Sequence, residues 1–393
     1  MASLAVLKER RAGERRVALV PSVVDKLAKL GLQVRLEAGA GAAIKLPDAA
    51  YRNVQVQSGY AALLADVDVV LGVQPPPLAA VRAMKPSAIL VCFVYGHKEP
   101  ALVQALCDQR VTCFAMDLLP RTSRAQAMDA LSSQAVLAGY YAVLLGATKL
   151  DRILPMMTTA AGALRPATVL VMGLGVAGLQ AAATAHRLGA VVEAYDIRPE
   201  TAEEAASVGA RFIDTGVDAS GEGGYARELT SEEQGQVAQA LTRHIQAADL
   251  VVTTAAVPGR PSPRLISREQ VAGMKPGSVV VDLAAEGGGN CACTRPDQVV
   301  EVGQVTVLGP LNVPSLLGEH ASELYAKNVC NLLQLIVRNG EVQPDWDDEI
   351  VAKAALTRDG EIVNAAVRQT LNPSRLRVTH EPVAAGPGGL PNV

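Results

Sequence analysis

Aromatic residues make up only 3% of the 393-residue chain, with one tryptophan and three phenylalanines, so large rings cannot be what fills its interior. Apolar residues still reach 49%. Burial therefore rests on Ala, Val and Leu, as in α/β proteins whose parallel strands are covered by helices. Cysteine is sparse, with six residues at 92, 107, 113, 291, 293 and 330. So few in so long a chain do not make a secreted disulfide framework. No second cysteine pair or His stands at a zinc-ligand spacing from Cys291 and Cys293, and no metal is expected. A net charge of −3 and a pI near 6.0 give no cationic footprint for nucleic acid. The start, MASLAVLKERR, lacks the apolar segment of a secretory signal. The longest apolar run, Ala135 to Ala147, falls short of the roughly 18–20 residues of a membrane span. These absences predict a soluble, cytoplasmic chain with no span of its own.

What is present is strand–helix alternation, and the length favours two domains. LAVLK, QVRLEAG, DVDVVLGV, SAILVCFVYG and VTCFAMDLL read as buried strands, while VVDKLAKLG has helical spacing closed by glycine. Residues 1–133, completed by 312–393, form the first predicted α/β domain. An Ala/Leu-rich helix over 134–150 crosses to the second, 151–311. There TVLVMGLGVAGLQ, VVEAYD, ARFID, DLVVTTA, SVVVDLA and VTVLG imply a doubly wound sheet. A helix over 322–338 returns the chain, and the Pro/Gly-rich tail after about 372 is expected to be loosely ordered. The expected fold is α/β, with two doubly wound parallel-sheet domains of flavodoxin or Rossmann type, joined by long helices around a cleft.

The second domain opens with G-x-G-x-x-G at Gly173, Gly175 and Gly178, directly after a strand and leading into a helix. Gly173 permits the tight turn and Gly175 lets backbone approach a pyrophosphate. Gly178 lets the helix pack closely, and Val176 and Ala177 present the helix N-terminus to the phosphates. A second strand ends at Asp196, followed by Ile197 and Arg198, at the spacing a dinucleotide site requires. An acidic side chain there accepts ribose hydroxyls and repels a 2′-phosphate, which favours NAD over NADP. Arg198 argues the other way, since it could pair with a 2′-phosphate. Loops 251–261, with Thr254 and Ala255, and 280–290, with Glu286 and Asn290, follow strands and should flank the cofactor. The long polar loop 214–235, which contains Tyr225, reads as a lid.

Residues 121–135, RTSRAQAMDALSSQA, raise a different question. If the helix runs from Gln126, then Gln126, Asp129 and Ser132 or Ser133 share one face, with Arg121 in the turn before it. That face has donors and acceptors but no group that titrates near neutral pH. A helix-capping cluster with a solvated face is the plain alternative. Its place between a strand end and the interdomain helix puts it beside the cleft.

From KERRAGERRVALVP through RTSRAQAMDALSSQ and GLGVAGLQA to VVDLAAEGGGN and LYAKNVCNLL, the chain resembles the NAD(H)-binding component of proton-translocating nicotinamide nucleotide transhydrogenase. The resemblance covers nearly everything before the tail. It implies that this chain binds NAD(H) while a partner subunit carries NADP(H), and that a hydride passes directly between them. It further implies that Arg121, Asp129 and Ser132 orient the nicotinamide and its ribose. Gln126 would reach towards the second nucleotide, and Tyr225 would belong to a mobile loop that closes over the first. Membrane-spanning partner subunits, a homodimer and a peripheral place at the cytoplasmic face of the inner membrane complete the expectation. Hydride transfer between two nicotinamides breaks no O–H or N–H bond, so rigid polar groups and excluded water suffice.

The rival is alanine dehydrogenase, of the same fold family, whose chemistry requires a general acid or base. The dehydrogenases that this chain resembles surround their substrate with an Arg, a Lys, a His and an Asp. Here Arg16 matches the arginine and His97 the histidine, but Gln74 stands for the lysine and Glu286 for the aspartate. A non-catalytic NAD(H) sensor is a third reading.

Overall fold

The computed structural model describes residues 1–218, 227, 229–256 and 260–371. Strands β1 (Ser3–Val6), β2 (Gln33–Glu37), β3 (Gln55–Gln57), β4 (Val69–Leu71), β5 (Ile89–Cys92) and β6 (Thr112–Ala115) form a parallel sheet in the order 3-2-1-4-5-6. A short exposed hairpin, β7 (Met157–Thr159) and β8 (Gly162–Leu164), precedes the second sheet. That sheet holds β9 (Thr168–Met172), β10 (Val191–Tyr195), β11 (Arg211–Phe212), β12 (Leu250–Thr253), β13 (Val279–Asp282), β14 (Val299–Val302) and β15 (Val305–Leu308). Its order, 11-10-9-12-13-15-14, repeats the winding of the first, with β14 antiparallel at the edge. Both sheets thus take the dinucleotide-binding order rather than the flavodoxin one. A second small hairpin, β16 (Val337–Arg338) with β17 (Glu341–Val342), leads to β18 (Ala355–Arg358) and β19 (Glu361–Ile362), which extend the first sheet antiparallel beyond β6.

The strands are continuous apolar runs because both of their faces are covered. Leu4, Val6, Val69, Leu71 and Val91 face one core of the first sheet; Ala5, Val70, Leu90 and Cys92 face the other. In the second sheet Val169, Val171 and Val252 alternate in the same way with Leu170, Met172 and Val251. The first core is not local in sequence. Helix Gly318–Ile336 inserts Tyr325, Val329 and Leu333 into it, and the Tyr325 hydroxyl donates to the Gly72 carbonyl at 2.8 Å.

Several boundaries differ from expectation. The interdomain helix is Ala130–Ala147, not 134–150, because Asp129 caps it by accepting the Ser132 N–H at 2.9 Å. At 18 residues and a mean hydropathy of 1.3 this helix, unlike the shorter apolar run inside it, is long and apolar enough to cross a membrane by length and composition. It instead lies against helix Val176–Arg187, where a Cβ on Gly139 would overlap the Ala177 carbonyl, and its Gly146 meets the Leu250 side chain. The return helix is Gly318–Ile336 rather than 322–338. The expected loop 214–235 is shortened by helix Ser231–Ala247, which begins on a Thr230/Glu233 capping box. Tyr225, and the tail from 372, lie outside the described residues.

Leu250 is fully buried at the start of β12 and wedged against Gly146. Leu250→Ala should cost about 2–5 kcal/mol of stability, measured by urea unfolding, since both the sheet and the interdomain helix lose contact.

Candidate functional site

The glycines of the fingerprint fall into three different environments. Gly173, at φ 94°, turns the chain where a Cβ would lie 2.9 Å from the Ala255 nitrogen and the Thr254 hydroxyl. A Cβ on Gly178 would overlap the Gly173 carbonyl oxygen, so the first helical turn sits directly on the loop that leads into it. Gly175 has nothing within 4 Å of its missing Cβ. The space above it is open, beside the unpaired N–H groups of a helix whose first residues are Val176 and Ala177. An anionic diphosphate fits that cradle in both shape and charge.

Asp196 ends β10's run and is held from two sides. Its Oδ2 accepts the Leu174 N–H at 2.7 Å, and both oxygens take the Arg198 guanidinium at 2.9 and 3.0 Å. Arg198 is therefore engaged by Asp196 itself, and Ile197 is half-buried between them. Across the crevice the Thr254 hydroxyl donates to the Gly173 carbonyl at 2.9 Å, which joins the ends of β9 and β12.

Asn290 is fully buried, and its amide donates at 2.8 Å to the carbonyls of Ala255 and Pro263. It clamps the two loops that flank the crevice, and its own carbonyl oxygen has no partner among the described residues. Sequence reasoning missed the residue that orders this loop. Asp282, fully buried at the end of β13, accepts the N–H groups of Ala284 and Cys291 at 3.0 Å and the Thr294 hydroxyl at 2.6 Å. The one local signal was a carboxylate ending an apolar strand before a glycine run. Glu286, by contrast, is exposed. Its charge acts on Tyr95 of the first sheet, so the two domains face each other here.

The helical face expected from Gln126 onward does not form. Ser123–Met128 is a 3-10 turn, and the α-helix begins only after Asp129. Aspartate at this point satisfies N–H groups that an interior position could not offer it. Asp129 and Ser132 do come together: Asp129 accepts both the Ser132 N–H and, at 2.6 Å, its hydroxyl. Gln126 is exposed on the preceding turn, and Arg121 is exposed just before it. The turn is held from behind by Asn328 and Asn331, whose amides donate to the Ala127 carbonyl at 3.0 and 2.8 Å. Ser133 faces inward and donates to Asn328 at 2.7 Å.

Beneath this turn lies a buried polar network. Arg16 donates to both oxygens of Glu14 at 2.8 and 2.6 Å, to Gln134 at 2.9 Å and to Asn312 at 3.0 Å. Gln74 and Asn312 each donate to Glu14 at 2.9 Å. Burial pushes the Glu14 carboxyl up, but the Arg16 hydrogen bonds and charge outweigh it and hold the group down at about 2. Nearby, Asp117 accepts the N–H groups of Val94 and Tyr95 at 2.8 and 3.1 Å and so stabilises Tyr95 at φ 51°. His97, half-buried, lies close enough for its charge to act on Asp117. A cavity of about 410 Å³ opens on the far side of Gln74, lined by Lys8, Arg10, Arg11, Tyr60 and Leu102. It contains none of the fingerprint residues and is separate from the nucleotide crevice.

The model of the family described as alanine dehydrogenase/PNT, N-terminal domain, matches residues 5–138, and that of the C-terminal domain matches residues 142–365. The chain is 44% identical over 377 residues to an NAD(P) transhydrogenase subunit alpha polypeptide of Rhodospirillum rubrum, covering 93% of this chain and 98% of that protein. It superposes on the crystal structure of transhydrogenase from Sinorhizobium meliloti with a TM-score of 0.82 and 41% identity, over 93% of this chain and 99% of that one. An alanine dehydrogenase of Halomonas elongata is more distant, 28% identical over 93% of this chain and 96% of that protein.

Two acid–base predictions come from the network. Burial raises the Glu9 carboxyl from 4.5 to about 7, despite N–H donors from Val73 and Gln74. A carboxyl raised by folding favours the folded state below about 4.5 and loses that advantage as pH rises towards 7. Glu9→Gln should flatten the Tm–pH profile across that interval and be the more stable protein at pH ~8, by a few kcal/mol at most. Glu14 has the opposite sign: its contribution is complete above about 4.5 and is lost as pH falls towards about 2. Glu14→Ala leaves Arg16 buried and unpaired, and should cost roughly 3–5 kcal/mol in denaturant titration at neutral pH.

Proposed function

Since the chain belongs to the alanine dehydrogenase/PNT family, with transhydrogenase alpha subunits among its similar members, we propose that it is the NAD(H)-binding subunit of a proton-translocating transhydrogenase. The observation that carries this reading is the Asp129–Ser132 pair. It is a hydrogen-bonded polar pair fixed at the end of a helix packed on the fingerprint helix. NADH supplies the hydride, which passes from its ring to the nicotinamide of NADP+ on a partner subunit.

The residues of this chain position and enclose. The fingerprint turn at Gly173, Gly175 and Gly178, with Val176 and Ala177, holds the diphosphate. Asp196 takes the adenosine ribose, with Ile197 alongside. Arg198 is already neutralised by Asp196, which favours NAD(H) over a 2′-phosphorylated nucleotide. Thr254, Ala255, Glu286 and Asn290 form the opposite wall. Asp129, Ser132 and Arg121 orient the nicotinamide and its ribose. Gln126, exposed on the outer turn, meets the partner's nucleotide. None of these groups needs to move a proton.

The dehydrogenase reading fares worse on the geometry. The guanidinium of Arg16 is committed to Glu14, Gln134 and Asn312, and no lysine replaces Gln74. A substrate carboxylate therefore lacks its cationic clamp.

A homodimer suits the apolar surface near the interdomain helix. Leu131 and Tyr140 on that helix are 37% and 40% exposed, and Met156, Met157 and Leu164 at the β7–β8 hairpin are 69%, 45% and 53% exposed. A second copy would cover them. NADP(H) binding and proton translocation then belong to membrane-spanning partners, which places this chain at the cytoplasmic face of the inner membrane.

The test is hydride transfer from NADH on this chain to an NADP+ analogue on a heterologous NADP-binding component, followed optically. Gln126→Ala should slow transfer at least about tenfold while NADH affinity stays within about twofold. Asp129→Ala should lose both transfer and affinity, with about 1 kcal/mol of stability from the lost cap. NADH formation from alanine and NAD+, without transfer, would assign the chain to the dehydrogenase instead.

A further inference from the structure

The helix Ala130–Ala147 packs along the second domain, with Ala142 and Val143 in its core, and two glycines seven residues apart mark its tightest approaches: Gly139 on the Ala177 carbonyl, and Gly146 on Leu250. Its N-terminal end carries Asp129 and Ser132. From Ser132 to Gly139 the helix rises roughly 10 Å. Ala177 belongs to the first turn of the fingerprint helix, level with the diphosphate cradle. Measured along the helix, the Asp129–Ser132 pair therefore stands about that far from the contact beside the cradle, a length comparable to a ribose plus a nicotinamide ring.

Resting on the NAD(H) reading above, we propose that this helix is a ruler for the dinucleotide, and that Gly139 is the positioning residue that sets its zero. Gly139 has no contact with nucleotide. It acts by letting two helix backbones meet, so that the diphosphate turn and the Asp129–Ser132 pair stand one nicotinamide-ribose apart. Any side chain at 139 must part the helices, because what it meets is backbone rather than the end of a flexible side chain. Each half-site would survive that separation, but their spacing would not. Gly146 offers an internal comparison, since the atoms nearest a Cβ there are side-chain carbons of Leu250 rather than the backbone of the fingerprint helix.

The discriminating ligands are ADP, which reaches only the second-domain half, and NADH, which must reach both ends. Calorimetric titration of Gly139→Ala should show NADH binding about tenfold weaker and ADP within about twofold of the parent chain. Gly146→Ala should lower Tm and leave the NADH-to-ADP affinity ratio unchanged. In an Asp129→Ala background, Gly139→Ala should weaken NADH by no more than about twofold, because nothing remains to be positioned. Should Gly139→Ala fold too poorly to titrate, Val136→Gly loosens the helix between Ser132 and Gly139 without a clash. It should weaken NADH about threefold and spare ADP. Equal loss for both ligands, or loss for neither, overturns the ruler. A parent chain that binds NADH no better than ADP overturns the NAD(H) reading itself.

Discussion

The first-domain side of the site is anchored by a single buried ion pair, Glu14 with Arg16. It joins segments far apart in the chain. Gln74 follows β4, Gln134 lies in the first turns of the interdomain helix, and Asn312 precedes the return helix. All three converge on the pair, with Asn312 held at φ 45° to reach it. Taking two charges out of water is costly, and the pair survives because nearly every lone pair and proton finds a partner. Its effect is to tie the first turns of the interdomain helix to the segment that leads into the return helix. The turn that carries Gln126 is held on the same two helices, through Asn328 and Ser133.

The same economy of groups appears at Asp129. One carboxylate terminates a 3-10 turn, starts an 18-residue helix and orients the Ser132 hydroxyl. Capping and ligand orientation are usually separate tasks. In the function proposed for this chain they coincide, because a helix N-terminus is already a rigid set of polar groups. The cap at Asp129 is what the structure shows, and the proposed role would use the same carboxylate.

What could be read from the sequence was whatever is local. The turn at Gly173, Gly175 and Gly178 and the acid at Asp196 lie within one strand–helix–strand unit, where spacing alone dictates contact. Buried strands were legible because both of their faces are covered. Helix limits were not, since the interdomain helix starts where Asp129 can cap it rather than where apolar periodicity begins. Gln134 and Asn312 escaped notice for a different reason. Their partners come from other loops, and an isolated polar residue in an apolar stretch looks the same whether it faces solvent or an ion pair.

The first sheet is completed by strands from near the other end of the chain. Ala355 pairs with Phe114 of β6, and the Thr357 hydroxyl donates to the Val111 carbonyl across 246 residues. The second sheet is contiguous from β9 to β15. During vectorial synthesis the domain made second is therefore the one able to close first. The domain made first must keep the β6 edge and the cavity for Tyr325 open until most of the chain has emerged. The exposed edge of a nascent parallel sheet is an aggregation hazard for as long as that wait lasts. Translation speed through the second domain, rather than the stability of either finished domain, then governs how much of this protein is recovered folded.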